Sequence, residues 1–322
     1  MLKEKVLSFL ELNRGRYVSG AKIASALEVS RNAIWKAIKG LENEGYQIDK
    51  RTNQGYMLKE EDDKVSLVGI QKLLNKDSKI ELEVFQTIDS TNKYLFKKGS
   101  EGGREGLVAV AEMQDGGKGR QGRTFFSPCG GVYFSILLRP KKKALVTEYL
   151  TALSALAVCE SINELFGVGA GIKWVNDVYI GNKKCSGILT EASIDFESGS
   201  VAYAVVGVGI NVNAPMGGYP DDIKDIACAI DAGVSNAKNK LVAMVINKLL
   251  AYYHNFDKNE VVARYRELSI MIGRNVIVKR DSGDRRAVCK NIDDECRLLV
   301  EYLDDHKEET LYYGEVSLCL EK

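Results

Sequence analysis

The sequence predicts a multidomain α+β protein: an N-terminal winged helix-turn-helix, a central mixed-sheet α+β domain and a small C-terminal β-barrel. Three observations carry this expectation. Closely spaced helical periodicities in the first 45 residues are followed by a polar hairpin pattern. From about residue 65 to 268, β-like runs alternate irregularly with helix-like ones, as in an α+β domain. The stretch from Ile272 onward holds short β-like segments with almost no helical periodicity, as in a small barrel. At 322 residues the chain is long for a single core, and the expected domains are 1–62, 65–268 and 270–322.

Within residues 2–13, Val6, Leu7, Phe9 and Leu10 form the apolar stripe of an amphipathic first helix. Ser19 is placed to cap a second helix whose buried face is Ile23, Ala24 and Leu27; Val29 sits in the tight turn before Ser30, the cap of a third. Ile34, Ile38 and Leu41 recur at helical intervals, so Arg31, Asn32, Lys36 and Lys39 fall on other faces. With Ser30, those polar residues are the candidates to enter a DNA major groove. Gly45 ends the helix, and residues 46–51 and 56–58, joined by Thr52-Asn53-Gln54-Gly55, make a two-stranded wing. A helical protein-interaction module would show the same spacing. The charged stretch 59–64, free of apolar residues, reads as a linker. Beyond it, β-like runs cover 80–85, 107–111, 132–138, 187–190 and 201–212, and helix-like runs cover 145–165 and 239–256.

Composition narrows the chemistry. Net charge is +1 overall, yet residues 1–60 hold eleven Lys/Arg against seven Asp/Glu, so the basic bias sits at the N-terminus. No apolar run is long enough to span a bilayer and residues 1–20 lack signal-peptide features, which points to a cytoplasmic protein. Seven scattered cysteines without a C-x-x-C fit reduced thiols and argue against a zinc site or a disulfide framework. With only His254 and His306 present, histidine-based catalysis is disfavoured and the chemistry must lean on Lys, Arg, Asp and a nucleotide.

Residues 111–123, AEMQDGGKGRQGR, thread Lys118, Arg120 and Arg123 through a glycine-rich loop between two β-like runs. Glycines let the backbone approach a ligand and fixed cations offset the charge of a polyphosphate, so the loop reads as a flap over an anion. A solvated basic hairpin is the bland alternative. Gly117, Gly119 and Gly122 also spell G-x-G-x-x-G, but the following Thr-Phe-Phe-Ser-Pro cannot open a helix, so a Rossmann site is rejected. The absence of Gly-Lys-Ser/Thr excludes a Walker P-loop.

Three further clusters share that domain. Ser90, Thr91 and Asn92 stand at a helix N-terminus, where they either hold a small polar ligand or simply cap the helix. Lys173, Trp174, Asn176 and Asp177 gather at a strand end, and a hairpin is placed to fold Lys184 back toward it; the bland alternative leaves either lysine as solvated surface. Gly207 to Asn211 ends an apolar strand whose glycines permit close approach. Phe125, Phe126 and Trp174 line the site or pack the core.

In this order, Ser90-Thr91-Asn92, the AEMQ and GKGRQGR loop, Phe126-Ser127-Pro128, Lys173 to Asp177, Lys184 to Glu191, Gly207 to Asn211 and Gly314 to Ser317 resemble the biotin protein ligases across the whole chain. With the N-terminal winged helix, the match resembles the bifunctional ligase–repressors of that family. Lys118 stands where the family usually has Arg, Val175 where it has Pro, and Glu295-Cys296 where a glycine turn is common. Lys118 keeps the cation but loses the bidentate fork.

The resemblance implies an SH3-like C-terminal domain and a two-step reaction. Biotin and MgATP give biotinyl-5′-AMP and pyrophosphate, and a lysine of a biotin carboxyl carrier protein then attacks the mixed anhydride. It implies Arg120, Lys173, Asp177 and Lys184 as catalytic residues, with Asp177 accepting the incoming lysine's proton. Ser90, Thr91, Asn92, Gln114, Lys118, Gly119, Arg120, Lys184 and Gly187 would contact biotin; Lys118, Arg120, Arg123, Lys173, Asn176 and Asn211 would contact ATP. No residue-borne metal site is implied, magnesium arriving with the nucleotide. Operator DNA bound by a homodimer loaded with biotinyl-5′-AMP as corepressor, and closure of the flap over the adenylate, complete the expectation. A DNA-binding biotin sensor without turnover is the alternative, against which Asp177 and Lys173 argue; a lipoate-type acyltransferase is a third.

Overall fold

The structure is a computed structural model that describes residues 2–140, 147–195, 197, 200–231, 233–280, 283–312 and 315–318. Three helices, α1 (Leu2–Leu12), α2 (Gly20–Ala26) and α3 (Arg31–Asn43), lead into a hairpin of β1 (Ile48–Arg51) and β2 (Gly55–Leu58). Ser19 and Ser30 cap α2 and α3, accepting from the amides of Lys22 and Ala33 at 3.1 and 3.2 Å. Val6, Leu10, Ile23, Ile34, Ile38 and Leu58 close a separate small core. The hairpin is tied to the segment before α2 by pairing of Val18 with Tyr56. At Gly55, with φ +105°, a Cβ would lie 2.1 Å from the Val18 carbonyl oxygen, so only glycine fits. The three helices and their wing are those the sequence predicts.

A short α4 (Leu67–Gln71) precedes the central unit: β3 (Glu81–Ile88), α5 (Thr91–Ser100), β4 (Leu107–Gln114), β5 (Val132–Leu138), α6 (Thr147–Phe166), β6 (Ala170–Lys173), β7 (Asp177–Ile180), β8 (Lys183–Ile194), β9 (Val201–Ile210), α7 (Ala237–His254) and α8 (Lys258–Leu268). Its seven strands lie in the order β3-β4-β5-β9-β8-β7-β6, mixed because β3 and β4 run parallel and every other pair antiparallel. Strand alternation sorts the faces. Val108 and Val110 join the large core with α6 and α7, while Leu107 and Ala109 meet Leu95 of α5 on the other side. The predicted helix over 145–165 is α6, its first two residues lying outside the described ones. The helices α4 and α8 were not anticipated; Asp257 caps α8 and Val261, Val262 and Tyr265 bury its inner face.

The C-terminal strands β10 (Asn275–Lys279), β11 (Arg285–Ile292), β12 (Leu298–Tyr302), β13 (Glu308–Leu311) and β14 (Glu315–Leu318) form an antiparallel sheet in the order β13-β12-β11-β10-β14. Among the described residues β13 and β14 do not pair, so the expected small barrel takes the form of an open five-stranded sheet. Residue Gly314 of the C-terminal motif lies outside the described residues. The sheet shares one continuous core with the central unit, running from Val65 to Leu311.

The stretch 59–64, expected to be a solvated linker, is instead strapped down. Asp62 is only 2% exposed. Its carboxylate accepts from the Gln47 and Lys64 amides, and its carbonyl from Arg14 at 2.8 Å. Asp63 accepts from the Lys238 amide and from Asn213, and Lys64 pairs with Glu112 at 2.8 Å. Charged residues avoid burial unless each polar atom finds a partner, and here the partners come from both sides of the junction. Among the described residues no helix is long and apolar enough to cross a membrane.

Candidate active site

The glycine-rich flap leaves the end of β4 at Asp115 and returns at Val132, with a short 3-10 turn at Arg120–Gly122. It closes one side of a cavity of about 520 Å³. The other walls are the N-terminus of α5, the β6–β7 turn, the β7–β8 hairpin, the end of β9 and residues 219–227. Sheet geometry gathers them: β5, β9 and β8 are neighbours, so Tyr133, Gly209 and Gly187 lie side by side at one end of the sheet. Phe125 of the flap packs onto that floor. A Cβ on Gly209 would lie 2.5 Å from its ring and one on Gly187 3.0 Å away, so the glycines make room for the aromatic.

Polar groups at the flap base hold one another. Gln114 accepts from the Thr91 amide at 2.9 Å and from its hydroxyl at 3.1 Å, and donates to Ser127 at 3.1 Å. The Ser135 hydroxyl lies 2.7 Å from the Thr91 hydroxyl and 2.6 Å from the Asn92 side-chain oxygen, Oδ1. Asn92 donates to Leu189 O and to Glu191, stitching α5 to β8. Ser90 caps α5 by accepting from the Lys93 amide at 3.4 Å. Asn176 accepts from Arg120 at 3.3 Å and donates to Ile188 O at 2.7 Å, tying flap to floor. Asn211 donates to Cys228 O at 3.1 Å. The side-chain amides therefore frame the cavity, and most of its charge comes from lysine and arginine.

That charge is lopsided. Among the described residues, Lys118, Arg120, Arg123, Lys173, Lys184 and Lys279 line the cavity against a single carboxylate, Asp177. Lys184 reaches Asp177 across the β7–β8 hairpin as an ion pair of 2.7 Å. The Asp177 Oδ1 in that pair is buried, so the Lys184 ammonium is the partner that offsets its charge. Lys173 is held below the ordinary lysine range, first by burial, against the pull of Asp177, and further by the positive charges of Lys184, Lys279 and Arg123. Its ammonium rests over the Tyr179 ring, 5.3 Å from the centroid. Such a group gains most from an incoming anion, which restores the charged form.

Residues 84–211 match the biotin/lipoate A/B protein ligase family, residues 3–57 an HTH domain and residues 271–319 the biotin protein ligase C-terminal domain. The bifunctional ligase/repressor BirA of Bacillus spizizenii is 31% identical over 98% of both chains. The chain belongs to the biotin protein ligase family. The Escherichia coli BirA is 30% identical over 95% of this chain and 94% of its own. A biotin protein ligase from Aquifex aeolicus, solved in complex with biotin and ATP, superposes with a TM-score of 0.61 at 27% identity, covering 74% of this chain and 98% of that one.

Every residue that the sequence reading assigns to biotin or to ATP lines this one cavity, from Ser90 to Asn211. Of the family departures, Lys118 lines the cavity, whereas Val175, Glu295 and Cys296 do not. Lys118 is exposed on the flap and pairs by backbone with Thr124. Val175 follows Trp174 through a cis peptide bond. Cys296 takes φ +58°, a left-handed conformation that glycine adopts more readily. Trp174 both lines the cavity and packs in the core, its indole donating to Cys296 O at 2.8 Å. Sequence reasoning missed Lys279 and the wall Tyr219, Ile223, Ile226 and Ala227. Lys279 carries no motif around it, and the wall residues lie in a turn-rich segment whose side chains meet the site only after the chain doubles back.

In the N-terminal unit, Ser30, Arg31, Asn32, Lys36 and Lys39 are all exposed along one side of α3. Trp35 stands among them, 46% exposed, with the Lys39 ammonium over its ring at 5.1 Å.

Proposed function

We propose that this chain is an ATP-dependent biotin–protein ligase that also represses transcription of biotin genes when loaded with biotinyl-5′-AMP. The observation that carries the reading is the excess of six cations over one carboxylate around a cavity of about 520 Å³, a field suited to a nucleotide triphosphate meeting a carboxylate. Two anions repel; Lys173, Arg120 and Arg123 offset the phosphates while Lys184 and Lys118 orient the biotin carboxylate, which attacks the α-phosphorus as pyrophosphate leaves. Ser90, Thr91, Asn92, Gln114, Gly119 and Gly187 shape the biotin end, and Asn176 and Asn211 frame the nucleotide end. A lysine of a biotin carboxyl carrier protein then attacks the acyl carbon, AMP departs, and Asp177 takes the amine's proton. Magnesium enters bound to the nucleotide, as part of that substrate.

The three functional units are 1–62, 65–268 and 270–322, the last an SH3-like domain. The winged helix reads operator DNA through Ser30, Arg31, Asn32, Lys36 and Lys39, as a homodimer formed with the adenylate bound, in the cytoplasm. Mass spectrometry of a carrier domain incubated with this protein, biotin and MgATP tests the enzymatic reading. One biotinyl group gained on one lysine is the expected result; an unmodified carrier, with no biotin-dependent release of pyrophosphate, would leave a DNA-binding sensor instead.

A further inference from the structure

We propose that Lys279, carried by the C-terminal sheet, is a binding residue for the β- and γ-phosphates of the nucleotide and for the pyrophosphate that leaves. The inference rests on the ligase reading above and adds a role for the third domain in its first half-reaction.

Lys279 ends β10, where Val276 and Val278 point into the core, so strand alternation turns Asn275, Ile277 and Lys279 the other way. Of these three, Lys279 reaches the lining of the cavity. Its position relative to Lys173 is fixed because the C-terminal unit docks on the strand and turn that carry Lys173. The Ile270 amide donates to Ile172 O at 3.0 Å. The Trp174 amide meets the Met271 sulfur at 3.2 Å, and the Trp174 indole donates to Cys296 O at 2.8 Å. At Gly171 a Cβ would lie 2.2 Å from a methyl of Ile270, so the glycine makes room for that side chain. The charge of Lys279 is accordingly felt at the buried Lys173 ammonium.

Depth separates the roles of the cations. Lys173, Lys184 and Arg120 are partly buried beside Asp177 and Asn176, where the reacting carboxylate and α-phosphate meet. Lys279 is exposed at the rim. The β- and γ-phosphates carry most of the triphosphate's charge, form no bond to biotin and must return to solvent, so a lysine at the mouth matches them. A flexible ammonium suits a group that has to leave, since it holds by charge without a rigid fork. Biotinyl-5′-AMP has lost these phosphates and has nothing for Lys279 to hold.

The half-reactions separate the effect. Biotin-dependent ATP–pyrophosphate exchange reads the first, and single-turnover transfer from purified biotinyl-5′-AMP to a carrier domain reads the second. For Lys279→Ala we expect KM for ATP and for pyrophosphate each to rise about tenfold, the loss of one charge-assisted contact. Transfer from the adenylate should stay at the wild-type rate, and Lys279→Arg should recover most of the exchange. Unchanged exchange in Lys279→Ala overturns the inference while the ligase reading stands. Equal losses in both half-reactions overturn it too, by showing that the residue only supports the fold. Failure of the wild-type protein to exchange at all removes the ligase reading and this inference together.

Discussion

Lys173 illustrates how a single residue turns burial into selectivity. Taking its ammonium out of water disfavours the charged form, and three neighbouring cations add to that, so the site holds the residue below the ordinary lysine range. A bound triphosphate reverses the balance, so binding is coupled to proton uptake. The sign follows: affinity for ATP is greatest where Lys173 is already protonated and weakens as pH rises through its lowered pKa, sooner than an ordinary lysine would allow. Calorimetric titration with ATP across pH should therefore show falling affinity and net proton uptake on the alkaline side. Lys173→Arg, charged throughout, should flatten that alkaline fall; a wild-type profile in the Arg variant would remove Lys173 from the phosphate site. At this scale the sequence was highly legible wherever residues of one function lie together, as Lys173 and Asp177 do. It was illegible for Lys279, because an alternating strand gives no hint of which domain its outward side chains face.

Among the elements, the flap depends on what lies beneath it. Phe125 sits on Gly209 and Gly187 with its ring edge-on to Tyr133 at 6.3 Å, and Tyr133 in turn donates to Pro128 O at 2.8 Å at the flap's exit. A side chain at Gly209 has to displace that ring, since the nearest ring atom lies 2.5 Å from the Cβ position. For Gly209→Val we expect a stability loss of about 1–3 kcal/mol, the usual cost of overpacking. We also expect a rise in KM for biotin larger than that for ATP, since the flap base rather than its cationic tip is moved. Denaturant unfolding and steady-state kinetics check the two parts, and an unchanged KM for biotin would show that Phe125 does not shape the biotin end. The flap and its strands were readable because apolar β-rich runs bracket a glycine-rich segment. The helix α4, only five residues long, was not, because so short an element is defined by what it packs against rather than by a periodicity of its own.

Over the whole molecule, the link between the DNA-reading unit and the ligase unit is a buried polar knot. Glu11 of α1 is closed off from solvent and faces Arg14 at 2.6 Å, Lys72 at 3.2 Å and the Ser66 hydroxyl at 3.2 Å. Burial alone would raise its pKa, but Arg14 and Lys72 together override that and hold it below the ordinary 4.5. Removing one member of such a cluster strands the others, so Glu11→Ala should cost about 3 kcal/mol in a urea titration at neutral pH. The gap between wild type and Glu11→Gln should close as pH falls through the lowered pKa, because the contribution exists only while the carboxylate is ionised. A gap independent of pH would mean that packing, not charge, holds the junction. None of this was readable beforehand. Arg14 is a local partner, but Ser66 and Lys72 lie 55 and 61 residues away, and a charged run such as 59–64 looks solvated until both flanking units supply its hydrogen bonds.

The same arrangement shapes how DNA binding should respond to solution conditions. The residues proposed to meet DNA stand exposed on α3, whereas every residue lining the cavity lies between Ser90 and Lys279. Salt should therefore act on the two functions differently. Operator affinity rests on Lys and Arg displacing counterions from phosphates, giving a slope in log K against log salt of about −0.9 per phosphate contact. Lys173 and Lys184, by contrast, are partly buried beside Asp177, and added salt screens them less. Lys36→Ala should weaken binding about equally on operator and on unrelated duplex and make the slope shallower by about 0.9. Asn32→Ala should instead lower the preference for operator and leave the slope as it was, because an amide reads base edges without displacing a cation. Fluorescence anisotropy over a range of potassium chloride concentrations, with biotinyl-5′-AMP saturating, measures both quantities. A Lys36→Ala slope equal to wild type would place that lysine off the phosphate backbone and move the proposed interface away from this face of α3.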